Sequence, residues 1–155
     1  MTGREREAGL SLVEVLVVLA IVGVMSGVTV LGLGALDRGG SGEAEATRLA
    51  NRLRLAADEA LVVSVPLALV WEERGYRFLA WHAAGARWQG APGDLGRHHG
   101  LPAPLRLARD GGSGDAVMIA PDLPQPPAVL HIAGGGGTWQ VAFDGFGAAV
   151  ARVGD

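Results

Sequence analysis

An α+β fold is predicted for this 155-residue chain: one long N-terminal helix, half membrane segment and half amphipathic, packed on an antiparallel β-sheet or a two-sheet β-sandwich. Three observations lead there. The chain is almost continuously apolar from Leu10 to Leu36, longer than the about 20 residues a helix needs to span a bilayer. From Glu43 the apolar residues recur at three- and four-residue steps, the period of an amphipathic helix. After Pro66 that period is lost, and short apolar runs alternate with Gly- and Pro-rich connections, as strands do.

The first element opens after a short charged leader, residues 1–9, in which Arg4 and Arg6 are offset by Glu5 and Glu7. The run GLSLVEVLVVLAIVGV follows from Gly9, with Glu14 near its start. Placing a carboxylate in the bilayer interior costs about 2.5–3.5 kcal/mol on insertion scales, so such a residue needs a partner and a function. An ordinary secretory signal has an apolar region of about 7–15 residues and a small-x-small cut after it. One such site stands at Gly32-Leu33-Gly34, but the run over 10–36 is much longer than such a signal requires. Neither a cleaved signal nor a plain anchor gives Glu14 a role.

Asp37 to Gly42, DRGGSG, is expected to be a flexible joint, because each glycine weakens a helix by about 1 kcal/mol relative to alanine. Helix then resumes. Ala46, Leu49, Ala50, Leu53, Ala57, Ala60, Leu61 and Ser64 fall on one face, while Glu45, Arg48, Arg52, Asp58 and Glu59 fall mostly elsewhere. Pro66 stops the helix. The expected organisation is therefore leader 1–9, transmembrane helix 10–36, joint and amphipathic helix 37–65, and one β domain over 66–155. That last stretch has room for a single small core.

Within the β domain, Leu67 to Glu72 and Tyr76 to Trp81 read as a hairpin around Glu73-Arg74-Gly75. Leu105 to Ala108, Val117 to Ala120, Val129 to Ala133, Thr138 to Phe143 and Ala148 to Val153 are further strands, with a second hairpin turning at Gly134 to Gly137. Gly90 to Pro104 and Asp110 to Pro127 are expected to be long loops and partner-contact sites.

Little in the chain suggests catalysis. With no cysteine there is no disulfide, thiolate nucleophile or cysteine metal site. His98-His99 lacks the spacing of a metal pair and reads as an exposed loop pair. His82 ends a strand, and His131 reads as a structural histidine. Asp110 to Asp115 lacks the alternating carboxylates of a calcium loop. The four glycines at 134–137 have no following lysine and do not make a phosphate loop. Ser64 and Ser113 have no assignable His/Asp partners. No cofactor, metal or catalytic residue is expected. Trp71, Trp81, Trp88 and Trp139 are assigned to the core or its rim, with Trp88 a candidate for a protein interface. The formal charge of −3, with all 13 basic residues arginine, gives no broad basic footprint for nucleic acid.

Gly9, an apolar Leu10, a carboxylate at Glu14 and continuous Val/Leu/Ile resemble the N-terminal signature of the type IV pilin-like proteins, in which most members have phenylalanine where Leu10 stands. GYRFLAW at Gly75 to Trp81, the following Arg87-Trp88-Gln89 and the late run Ala128 to Phe143 are similar to the GspH branch of minor pseudopilins and their FimT relatives. This resemblance implies a prepilin peptidase that cuts between Gly9 and Leu10, an N-methylated Leu10, and a Glu14 that pairs with the α-ammonium of a neighbouring subunit during assembly. It further implies a subunit near the tip of a type II secretion pseudopilus. Its partners would be other minor pseudopilins and the major pseudopilin, with the helix in the inner membrane and the C-terminal domain in the periplasm. The alternative within the resemblance is a FimT-like minor pilin that captures DNA through a basic C-terminal region. Here that end is AAVARVGD, with Arg152 against Asp155, and Arg106 and Arg109 are countered by Asp110.

Overall fold

The computed structural model describes residues 12–72, 74–111, 114–120 and 122–154; at 12 and 23–41 it describes the backbone alone. Two compact units result, Met1–Asp37 and Arg38–Asp155. Helix α1, Leu12–Val63, contributes to both. The backbone is helical through Asp37 to Gly42, where the glycines led us to expect a break. Extending an established helix adds a hydrogen bond for each residue ordered, which offsets the local preference of glycine for other conformations.

In the second unit Ala46, Leu49, Ala50, Leu53, Ala56, Ala57 and Ala60 are buried along one stripe of α1. Leu61 and Ser64, assigned to that stripe from sequence, are exposed. Leu61 is rotated about 100° from Ala60 on a helix of 3.6 residues per turn, and Ser64 lies past the helix end with φ 52°, the left-handed conformation that terminates helices. Ala56 is the core residue missed. Glu45, expected on the solvent side, is buried beside the stripe.

Among the described residues nine strands follow: β1 Leu67–Glu72, β2 Gly75–His82, β3 Arg87–Gly90, β4 His99–Gly100, β5 Arg106–Arg109, β6 Ala116–Ile119, β7 Ala128–Gly134, β8 Gly137–Phe143 and β9 Ala148–Val153. They form two antiparallel sheets, β3-β2-β1-β6 and β5-β7-β8-β9, with β4 also paired to β2. This settles the choice between one sheet and two. The β1–β2 hairpin pairs Glu72 with Gly75, and β7–β8 pairs Gly134 with Gly137. Gly135 and Gly136 have φ of 64° and 93°, and a two-residue hairpin turn of type I′ requires positive φ at both positions. At the β6 edge the Gln125 amide lies against the backbone at Met118 and Ala120, occupying groups that an exposed edge strand would otherwise offer to another chain.

The alternation of each strand delivers one face to a common core. Leu67, Leu69, Trp71, Tyr76 and Phe78 from the first sheet meet Leu130, Ile132, Trp139, Val141 and Phe143 from the second, together with the α1 stripe. Trp139 fits against glycine. A Cβ added at Gly42 would lie 2.2 Å from its ring, and one added at Gly137 would lie 2.9 Å away. Gly42 therefore brings α1 close to β8, a role distinct from the joint read into DRGGSG.

The expected loop 90–104 holds β4 and is partly internal: Ala91, Leu95 and Leu101 are buried. Gly75 serves this packing, since an added Cβ would meet the His99 carbonyl at 2.7 Å and the His98 ring at 2.5 Å. Part of the expected loop 110–127 is β6, as the strand reading over Val117 to Ala120 anticipated.

Candidate assembly site

Of the residues singled out for processing and assembly, Gly9 and Leu10 lie outside the described residues. Glu14 is described, in the first turn of α1 and exposed. Around it the helix presents apolar side chains to its surroundings: Val13, Leu16 and Leu19 are 65%, 58% and 62% exposed. A helix apolar on every side is suited to burial in a membrane or among other helices. Among the described residues no helix is long and apolar enough to cross a membrane, and most of the expected span over 10–36 lacks described side chains.

In the second unit a polar cluster fastens α1 to the segment before β4. Glu45 Oε2 lies 2.7 Å from His99 Nε2, and Arg48 Nη1 donates to Glu45 Oε1 at 3.0 Å. Arg52 Nη2 donates to the carbonyls of Asp94 at 2.7 Å and Leu95 at 3.2 Å. Its guanidinium lies 5.3 Å from the Tyr76 ring centroid and 5.5 Å from that of Phe78, a cation–π arrangement. His98 and His99 therefore differ. His98 is exposed, whereas His99 is drawn into β4 opposite Tyr76 and bonded to a buried carboxylate, so the expectation of an exposed loop pair holds for only one of them. The i,i+3 spacing of Glu45 and Arg48 was visible in sequence; the partnership with His99, 54 residues away, was not.

Tyr76 is buried, and among the described residues its hydroxyl has no partner at hydrogen-bond geometry. Burial pushes its phenol above the ordinary value of 10.0, opposed by the Arg52 guanidinium. Because the folded value is the higher one, its contribution to stability is complete below the unfolded value and is lost as pH rises through the folded value. Tyr76 is the only tyrosine, so phenolate absorbance in an alkaline titration reports this site alone. The expected midpoint lies above that of the same chain in denaturant; coincident midpoints would contradict this account of burial.

Trp81 and Trp88 pair across β2 and β3 on the outer face, with ring centroids 5.4 Å apart and both side chains half-buried. Trp71 and Trp139 are core residues. His131 lies 3.8 Å from Asp110 on the outer face of the second sheet. Among the described residues no three His, Asp or Glu side chains gather as a metal site would require.

The fold and this N-terminal arrangement can be set beside known proteins. The prokaryotic N-terminal methylation motif matches residues 4–35. Over 105 residues the chain is 33% identical to type II secretion system protein H of Pseudomonas aeruginosa, covering 66% of this chain and 59% of that protein. In these features the chain is similar to members of the type IV pilin-like superfamily. Two solved structures of the minor pseudopilin EpsH of the Vibrio cholerae type 2 secretion system share its fold, at TM-scores of 0.58 and 0.54. They are 19% and 20% identical to it, and the matches cover 73% and 74% of this chain and 96% of each structure. The chain thus spans about three-fifths of the curated relative's length, and its likenesses lie with the GspH branch of the superfamily.

Proposed function

We propose that this protein is a minor pseudopilin of a type II secretion system, built into a short periplasmic filament near its tip and linking the other minor pseudopilins to the major one. The observation that carries this reading is a methylation motif at the head of an apolar helix, in a chain whose second unit has the EpsH fold. A prepilin peptidase would cut between Gly9 and Leu10 and methylate Leu10, leaving Glu14 as the fifth mature residue. Before assembly, 10–36 would hold the protein in the inner membrane as a single span with the β domain in the periplasm. In the filament the apolar helix surface would exchange lipid for neighbouring helices, and Glu14 would neutralise an adjacent α-ammonium, an attraction that a low-dielectric setting strengthens. The role is structural, with no cofactor and no catalytic residue.

The FimT-like reading draws less support from the arginines. Arg109 donates to the Ala116 carbonyl at 3.2 Å, and the Arg152 guanidinium sits 6.0 Å from the Trp139 ring centroid. Each is drawn toward a group of its own chain, whereas tracking a phosphate backbone needs several cations turned outward.

Processing provides the test. In a host with prepilin peptidase, intact mass and N-terminal peptide analysis should give a mature chain starting at Leu10 with one added methyl group. A mature chain starting at Ala35, or an uncut leader, would refute the processing scheme.

A further inference from the structure

Outside α1, the large apolar side chains exposed among the described residues are Met118, Leu123, Phe146 and Val153. Three of them converge. Leu123 and Phe146, 62% and 58% exposed, line a cleft of about 390 Å³ between the segment after β6 and the β8–β9 turn. A second cleft of about 380 Å³ adjoins it, shares Ala120, Leu123, Pro124 and Gln125, and is lined by Met118. A cluster of exposed large apolar side chains of this kind marks an interaction surface.

Both walls are held in place. Asp144 Oδ1 accepts hydrogen bonds from the backbone N–H groups of Phe146 at 2.9 Å and Gly147 at 2.6 Å, and Asp144 N donates to the Gly147 carbonyl at 3.1 Å. The Gly147 and Phe146 N–H groups hold the Asp144 carboxyl below its ordinary range, so it stays anionic near neutral pH. On the opposite wall Leu123 N donates to the Ala120 carbonyl at 3.0 Å, and Gln125 Nε2 donates to the same carbonyl at 3.3 Å, just past the end of β6. Phe146 and Leu123 are thus presented by closed turns, which lowers the entropy lost on binding.

The charge here has one sign. Asp122 and Asp144 border the first cleft, and neither forms an ion pair among the described residues. Among the described residues the one basic side chain lining either cleft, Arg109, donates to the Ala116 carbonyl. A carboxylate pair beside an exposed phenyl ring complements a guanidinium or ammonium, which can meet the carboxylates and lie on the ring face.

We propose that the Leu123–Phe146 cleft is a docking site for another subunit of the filament, through a segment that carries an apolar side chain next to an arginine or lysine. The proposal rests on the minor pseudopilin reading. Phe146 and Leu123 supply the apolar anchor, as aromatic side chains at interface centres commonly do, while Asp122 and Asp144 select a basic partner.

The test uses the full chain in cells expressing the secretion-system subunits, with photoreactive p-benzoylphenylalanine replacing Phe146 in one variant and Val18 in another. Crosslinks from position 146 should reach a different pilin-like subunit, at a peptide with Arg or Lys within a few residues. Asp122→Asn combined with Asp144→Asn should lower that yield about fivefold while leaving the Val18 crosslinks unchanged. Asp144→Asn keeps a side-chain oxygen to accept the two turn N–H groups, so the turn itself should persist. Crosslinks from Val18 but none from 146, capture of a second copy of this chain, an acidic target peptide, or a yield indifferent to the two Asp→Asn changes would each overturn the docking site and leave the pseudopilin reading standing. No pilin-like crosslink from either position would overturn both.

Discussion

Glu14→Ala should leave the protein in the membrane with its leader removed and reduce its incorporation into the filament by about a hundredfold or more. The substitution removes the anion's insertion cost, so membrane accumulation is unimpaired. In the proposed filament it would also leave the neighbouring α-ammonium without a counter-charge in a low-dielectric setting, and breaking a buried pair in this way costs about 3–5 kcal/mol. Cleavage survives, because Gly9 and the apolar run are untouched. A charge swap offers no simple rescue, since the proposed partner is a chain terminus. Crosslinking to other pseudopilins and secretion of a cargo protein should fall together; if both are unchanged, the carboxylate is dispensable and the assembly mechanism fails.

Gly42 carries the second large effect. Helix propensity alone says that Gly42→Ala should stabilise α1 by about 1 kcal/mol. The packing says the opposite. The new Cβ would lie 2.2 Å from the buried Trp139 ring, which is also crowded by Gly137, so the indole cannot turn aside without disturbing a second contact. Overpacking of this kind costs about 1–3 kcal/mol, and Gly42→Val should cost more than Gly42→Ala. Denaturant unfolding of residues 38–155, the compact second unit, measures both. Destabilisation that grows from alanine to valine supports the contact, whereas a gain in stability for Gly42→Ala would mean that α1 does not approach Trp139 as closely as described.

Patterns that repeat along the chain are legible in the amino-acid sequence. The α1 stripe from Ala46 to Ala60 follows the 3.6-residue period, and β1, β2, β7, β8 and β9 carry alternation or apolar runs bounded by Gly and Pro. Elements too short to repeat are not. β4 has two residues, and Leu95 and Leu101 are single apolar positions in a Gly- and Pro-rich stretch that reads as a surface loop. Nothing local separates His99 from His98, because burial of His99 depends on Glu45 being presented by a helix far away in sequence. Gly42 and Gly75 look like joint and turn glycines for the same reason: their function is the space left for Trp139 and for β4.

The sequence by itself determined the α+β class, the order of the helix and of every described strand except β3 and β4, and the motif of Gly9, Leu10 and Glu14, because period, turn chemistry and a charge in an apolar run are local properties. Tertiary structure alone decided that the strands divide into two sheets, that Glu45 and His99 meet inside, and that Met118, Leu123 and Phe146 gather beside Asp122 and Asp144 at one surface. Those features are distances between residues remote in the chain. They exist only once the shared core has set how α1 and the two sheets pack, and no local pattern encodes that arrangement.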